Sequence, residues 1–504
     1  MGCACEKERE DPSSSNHKLS RLSSQLFEGS ERQATVPILS AGFTVVKRLT
    51  EPFESLYDVL ETKTLKTGEK LLKALPQNLK KECTVRVIPK HLVLALESEL
   101  PQIHREICQF GAIDHPNVLT ILALLEDDHY LYIVTENFLV GEFERYFRKR
   151  ERMTERLAGK VLAQVFSALN YCHQLGISQR RLQLSSLLMQ TEAGDQSLTM
   201  KVSVGEGHLV ALESRTQVAE ECCWMAPEVL AGKYTEKSDI WSCGVLLYFL
   251  LTGQYPFAGD TPGEVMAQVR KGFLNFRGQC WRFISHDAIS FVSCLLNPAC
   301  QNRPSAQACL SHPWAIRHAG KAKLKSRTVG RKLWRLKRAA APLGLRRAVE
   351  RYMLERMGDK EEIAIIAEAF RALDEDGDGA ISLKELQKGL RKRMSSSKSQ
   401  AAAEQVFHTI DFNNSGALSY SEFLLAAINT EKLLCSANLR VVFDSFDKDK
   451  SGQISAGELR ELLMMEGVEQ MEELWQQLIS MTDTSGDGEL DFEEFEDLMT
   501  KMMV

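Results

Sequence analysis

The stretch DEDGDGAISLKE, residues 374–385, decides the fold of the last third of the chain. Aspartate stands at its positions 1, 3 and 5, glycine at 6, isoleucine at 8 and glutamate at 12. A short loop built this way converges oxygens on one point, and a hard cation of calcium's size takes about six to eight of them. Glycine at 6 permits the sharp turn, and glutamate at 12 offers both of its oxygens at once.

The pattern returns as DFNNSGALSYSE from Asp411, DKDKSGQISAGE from Asp447 and DTSGDGELDFEE from Asp483, with starts 37, 36 and 36 residues apart. That period is one helix-loop-helix unit each. The expected calcium ligands in loop one are Asp374, Asp376, Asp378, Ala380, Ser382 and Glu385. In loop two they are Asp411, Asn413, Ser415, Ala417, Ser419 and Glu422. Loop three offers Asp447, Asp449, Ser451, Gln453, Ser455 and Glu458, and loop four Asp483, Ser485, Asp487, Glu489, Asp491 and Glu494. The residue at position 7 of each loop serves through its carbonyl. Ile381, Leu418, Ile454 and Leu490 at position 8 suit the pairing of loops through short strands. Four EF-hands in two lobes follow. Counting side-chain carboxylates, loops one and four have four each, loop three has three and loop two only Asp411 and Glu422, so loop two is expected to bind weakest. Met464, Met465, Met471, Met481, Met499, Met502 and Met503 give the second lobe soft side chains suited to gripping a helix.

Upstream, Met225-Ala226-Pro227-Glu228, Ser238-Asp239-Ile240-Trp241-Ser242-Cys243-Gly244-Val245 and Asn302-Arg303-Pro304 are similar to the later landmarks of protein kinases. His115-Pro116-Asn117 and Gly141-Glu142 fall at the family's αC–β4 turn and after its hinge. With the four EF-hands, residues 43–504 resemble a calcium-dependent protein kinase of the plant and apicomplexan type. The resemblance implies an α+β bilobal protein-kinase-like domain followed by an all-α, two-lobe calmodulin-like domain. It also implies a buried structural ion pair between Glu228 and Arg303.

Phosphoryl transfer needs a phosphate cradle, a Lys–Glu pair, a base and metal ligands. Placed after Leu49, the cradle reads Thr50-Glu51-Pro52-Phe53-Glu54-Ser55, without glycine and with two carboxylates. Arg86 occupies the lysine slot, with Glu106 retained as its partner. In ISQRRLQLSSLLM (177–189), Arg181 stands in the base slot, Gln183 in that of the helper lysine and Ser186 in that of the metal-binding asparagine. Val204 falls where the D-F-G aspartate belongs. These losses predict a pseudokinase acting as a calcium-switched scaffold or allosteric regulator, and they put ATP and Mg²⁺ as cofactors in question. Retention of Thr135, Glu136 and Glu142 leaves nucleotide binding without transfer open. The competing readings are an active Ser/Thr kinase with rearranged catalysis and a membrane-tethered calcium sensor.

Charge divides the chain. Residues 321–347 hold eleven Lys and Arg and no acid, whereas residues 361–504 hold 29 acids against 13 Lys and Arg, a net of −16. Such complementarity predicts docking of 321–347 on the EF-hand lobes, or a membrane-facing patch, rather than nucleic-acid binding. Leu333, Trp334, Leu336 and Leu343 anchor that basic segment. The resemblance implies that it inhibits the kinase and is sequestered when calcium binds. Thirteen scattered cysteines without zinc spacing read as reduced thiols of a cytoplasmic protein. Gly2, Cys3 and Cys5 are candidates for acylation and membrane association, although Glu6 stands where myristoylation favours Ser or Thr. The expected boundaries are a tail at 1–40, a kinase-like domain at 41–316 (lobes 41–136 and 137–316), a junction at 317–358 and a calmodulin-like domain at 359–504. Protein partners are expected, though the sequence names none.

Overall fold

The computed structural model describes residues 46–49, 51–64, 69–77, 81–90, 109–110, 113–137, 142–180, 182–192, 197–203, 219–319, 353–354, 358–391, 396–411, 415–428, 434–447, 449–455, 458 and 487–501. Two units form by contact: the described parts of Leu39–Arg338 with Asp359–Ile428, and those of Ala339–Gly358 with Asn429–Val504. The first pair of EF-hands therefore belongs to the unit of the kinase-like fold.

The first lobe of that unit is one sheet of six strands: β1 (Val46–Arg48), β2 (Tyr57–Thr64), β3 (Lys70–Pro76), β4 (Cys83–Pro89), β5 (Ile121–Glu126) and β6 (Tyr130–Glu136). Their spatial order is β1-β5-β6-β4-β3-β2. β2 to β4 run antiparallel in sequence, whereas β1 joins the far edge parallel to β5, with Val46 opposite Leu124. Side chains alternate between the faces of a strand. One face gathers Leu72, Ala74, Val85, Val87, Tyr132 and Val134, and Arg86 points from the other.

The first face is covered by the segment after β1. Phe53 is buried there between Tyr57 and Tyr132, with ring centroids 4.7 and 4.6 Å away and planes within 4° and 2° of parallel. This corrects the expectation that residues 50–55 form the phosphate cradle. Phe53 packs on the face opposite Arg86, so the segment that carries it does not cover phosphates beside that residue. Counting hairpins back from the strand of Arg86, the connection of that role runs from Thr64 of β2 to Lys70 of β3, with Glu69 at its end.

The second lobe is helical. α1 (Glu142–Arg148) leads to α2 (Glu155–Gln174), whose first turn is capped by the Thr154 hydroxyl accepting from Leu157 N. Ala158, Val161, Leu162, Val165, Phe166 and Leu169 along α2 enter the core. β7 (Leu187–Glu192) and β8 (Ser197–Val202) form a hairpin beside it. α3 (Glu236–Thr252) starts at a Thr235/Ser238 capping box and stops at Gly253, in the left-handed region at φ 74°. Val245, Leu246, Leu247, Leu250 and Leu251 are buried, as expected of a core helix. α4 (His286–Leu295) packs against α3. Among the described residues no helix is long and apolar enough to cross a membrane.

The calcium-binding region is helical except at its loops. α5 (Lys360–Leu373), α6 (Leu383–Arg391), α7 (Ser396–Ile410) and α8 (Tyr420–Ala427) build the first pair, with β9 (Ala380–Ser382) and β10 (Ala417–Ser419) joining its loops. α9 (Ser436–Phe446) and α10 (Phe492–Lys501) frame the second, joined by β11 (Gln453–Ile454) and β12 (Leu490–Asp491).

Candidate calcium centres and catalytic cleft

The loops close as their spacing requires. Ile381 pairs with Leu418, and Ile454 with Leu490, antiparallel, so loops one and two form one lobe and loops three and four the other. Gly379, Gly416, Gly452 and Gly488, the four glycines at position 6, all take positive φ between 77° and 86°. Carboxylates of Asp374, Asp376 and Asp378 bring an oxygen each within 4.8 Å of one another, and so do those of Asp447, Asp449 and Glu458. Backbone amides hold these side chains in place: Asp374 accepts from Gly377 N at 2.7 Å and Gly379 N at 3.1 Å. Glu385 reaches back to accept from Glu375 N (2.8 Å), Ser382 N (2.9 Å) and Ser382 Oγ (2.7 Å). Burial, then the charge of Asp378, pushes the Asp374 carboxyl up to about 8. Clustered, desolvated acids of this kind are what a divalent cation relieves. In loop two, Asp411 accepts from Ser415 N and Gly416 N, both at 2.9 Å, and Glu422 from Ser419 N at 2.9 Å. Asn413, Asp483 and Ser485 lie outside the described residues.

The unequal carboxylate count gives a direct expectation. Glu385→Gln should remove a high-affinity site in calorimetric titration with calcium, whereas Glu422→Gln should leave the tight sites unchanged. Loss of tight binding on Glu422→Gln would reverse the ranking.

The catalytic loop keeps its scaffold. Asp239, buried on α3, accepts from Gln179 N at 2.8 Å and Arg180 N at 3.1 Å, and its Oδ2 lies 2.8 Å from His173 Nε2. Glu228 and Arg303 form the implied ion pair, with Nη1 and Nη2 donating over 2.7 and 2.6 Å. Burial favours a protonated Glu228, but hydrogen bonds from the guanidinium outweigh it and hold the carboxyl below its usual range. Arg303 also donates to Asn297 O and Lys237 O and lies over the Trp241 ring.

The chemical slots differ. Ser186, 0% exposed, points into its own turn: its hydroxyl donates to Gln183 O at 2.8 Å and accepts from Gln183 N at 2.9 Å. Gln183 in turn donates to Ser185 Oγ. Arg86 forms a fork on Glu69, with Nη2 at 2.5 Å and Nε at 2.6 Å from one carboxylate oxygen. Glu106, Arg181, Val204 and the side chain of Glu142 lie outside the described residues, as do Gly2, Cys3, Cys5 and the basic segment 321–347.

The first pair of EF-hands is seated on the kinase-like domain by its own loops. Asn170 of α2 donates to the carbonyl of Gly377 at 2.8 Å. Asp114 accepts from Ser421 N and Ser421 Oγ, both at 2.8 Å. A Cβ placed on Gly379 would lie 2.4 Å from the Tyr171 ring and 3.0 Å from that of His115, so loop one abuts both. His115 accepts from Asn117 N and lies 3.0 Å from Ser167 Oγ. Burial, then the charges of Arg371 and Lys201, depresses its pKa to about 3. Nothing local in the sequence signals this seating.

Comparison with known proteins agrees with both halves. Residues 70–315 match the protein kinase domain, 365–428 and 436–500 match EF-hand domain pairs, and 336–392 match a further EF-hand pair family. Calcium-dependent protein kinase 4 of Plasmodium falciparum is 29% identical over 434 residues, spanning 84% of this chain and 82% of the relative. Calcium-dependent protein kinase 3 of Plasmodium berghei is 30% identical over 439 residues, spanning 85% of this chain and 77% of the relative. With the paired calcium loops, the buried Glu228–Arg303 bridge and the Asp239-held loop on one chain, these matches settle its kinship: the chain belongs to the calcium-dependent protein kinase family.

Proposed function

We infer that this family member is a pseudokinase, a calcium-responsive scaffold or allosteric regulator that does not transfer phosphate. The observation that carries the reading is Ser186. It stands in the slot of a metal-binding side chain, is sealed from solvent, and spends its hydroxyl on the backbone of Gln183. Arg181 in the base slot and Val204 in that of the D-F-G aspartate support it, since neither accepts a proton from a substrate hydroxyl or ligates Mg²⁺.

Calcium supplies the input. Loops one and two carry both the calcium ligands and the contacts to Asn170 and Asp114. Cation binding there differs in free energy between seated and released arrangements and so shifts their populations. Docking of the basic segment 321–347 on the acidic lobes is the complementary step, and changed binding surfaces for a protein partner are the output. Acylation at Gly2, Cys3 and Cys5 would bring the same switch to a membrane surface.

The test is transfer of radiolabelled phosphate from Mg-ATP to a mixed protein substrate, at saturating calcium and with chelator. No transfer above buffer is expected under either condition. Calcium-stimulated transfer that Arg86→Ala abolishes would overturn the reading.

A further inference from the structure

Among the described residues, Arg86 and Lys73 on the inner face of the first lobe, and Lys201 of the second, are each matched by a carboxylate of the same chain. Arg86 on β4 is forked on Glu69, and both side chains are nearly sealed, at 13% and 4% exposure. The register explains the fit. Lys70 pairs with Val87, so Glu69 stands diagonally across from Arg86 on the same face of the hairpin. Lys73, two residues from Leu71 on that face, pairs with Glu82 at 2.9 Å. Lys201 of β8 pairs with Glu136 at the end of β6.

We propose that Glu69 is a built-in stand-in for nucleotide phosphate: its carboxylate occupies the guanidinium of Arg86 and excludes nucleoside triphosphates from the cleft. The proposal deepens the pseudokinase reading and rests on it for the location of the cleft. Glu69 directly precedes β3 and sits on Arg86, so its charge lies where the phosphate chain would approach that cation. A guanidinium offers a planar fork that suits a carboxylate or a phosphate equally, and one acceptor displaces the other. A polyanion entering here would have to break a desolvated ion pair and leave a carboxylate unpaired beside itself. Lys73 and Lys201 are already engaged by Glu82 and Glu136.

The experiment uses the full-length chain and two probes, Mg-ATP and inorganic tripolyphosphate, followed by calorimetry and thermal shift. The natural chain is expected to give no saturable signal at millimolar probe. Glu69→Gln keeps the shape, removes the charge, and is expected to tighten binding of both probes by about tenfold or more. Adding Arg86→Met to that variant should abolish the gain. If Glu69→Gln does not fold, Glu69→Ala serves in its place. A folded Glu69 variant that binds no tighter, or a gain that survives loss of Arg86, overturns the proposal. Micromolar Mg-ATP binding by the natural chain overturns it as well, and leaves the pseudokinase reading standing if no phosphate is transferred. Calcium-stimulated transfer by the natural chain is the outcome that defeats the pseudokinase reading itself.

Discussion

Glu228→Gln is expected to lower the stability of the kinase-like fold by about 3–5 kcal/mol, the usual cost of stranding one member of a buried ion pair. Arg303 is enclosed, and Glu228 receives its two terminal nitrogens at 2.7 and 2.6 Å. A neutral amide cannot accept from both, and its own NH₂ would face the cation. Urea unfolding of the single variant, set against Glu228→Gln with Arg303→Met, isolates the pair: the double variant should be less damaged than the sum of the single changes. A loss below about 1 kcal/mol for Glu228→Gln would show that the bridge is solvated and replaceable.

The second large effect is a dependence on pH traced to His115. Its ordinary pKa of 6.5 falls to about 3 in the fold, because burial and then the nearby charges of Arg371 and Lys201 disfavour the imidazolium. A folded pKa below the unfolded one means that the unfolded chain binds the extra proton. The stabilisation is therefore complete above 6.5 and drains away as pH falls toward 3. Between pH 7 and pH 5 the loss amounts to about 2 kcal/mol. His115→Gln should remove that loss from the urea stability profile measured in chelator, while the titration of Asp374, raised in the fold and therefore opposite in sign, remains in both proteins. Equal slopes in both proteins would assign the acid sensitivity to other groups.

Local chemistry made the calcium lobes readable. Twelve-residue spacing fixes ligand, turn and strand without help from the rest of the chain, and the pairing of Ile381 with Leu418 follows from it. The landmarks around Glu228, Asp239 and Arg303 are equally plain, because Asp239 and Arg303 hold backbone groups and Glu228 holds Arg303. The phosphate loop was misplaced because hydrophobic alternation is the same in an added strand as in an expected one. Which strand pairs with which is decided by register, and β1 took the edge beside β5. Gly68, the one glycine between Gly42 and Gly111, was the available signal. The seating of the first EF-hand pair had no such signal, since Asn170 meets Gly377 across 207 residues and Asp114 meets Ser421 across 307.

Ser186 closes its turn from within: its hydroxyl donates to the carbonyl of Gln183 and accepts from the amide of the same residue. The turn is therefore fastened by its own side chain, in the manner of a clasp.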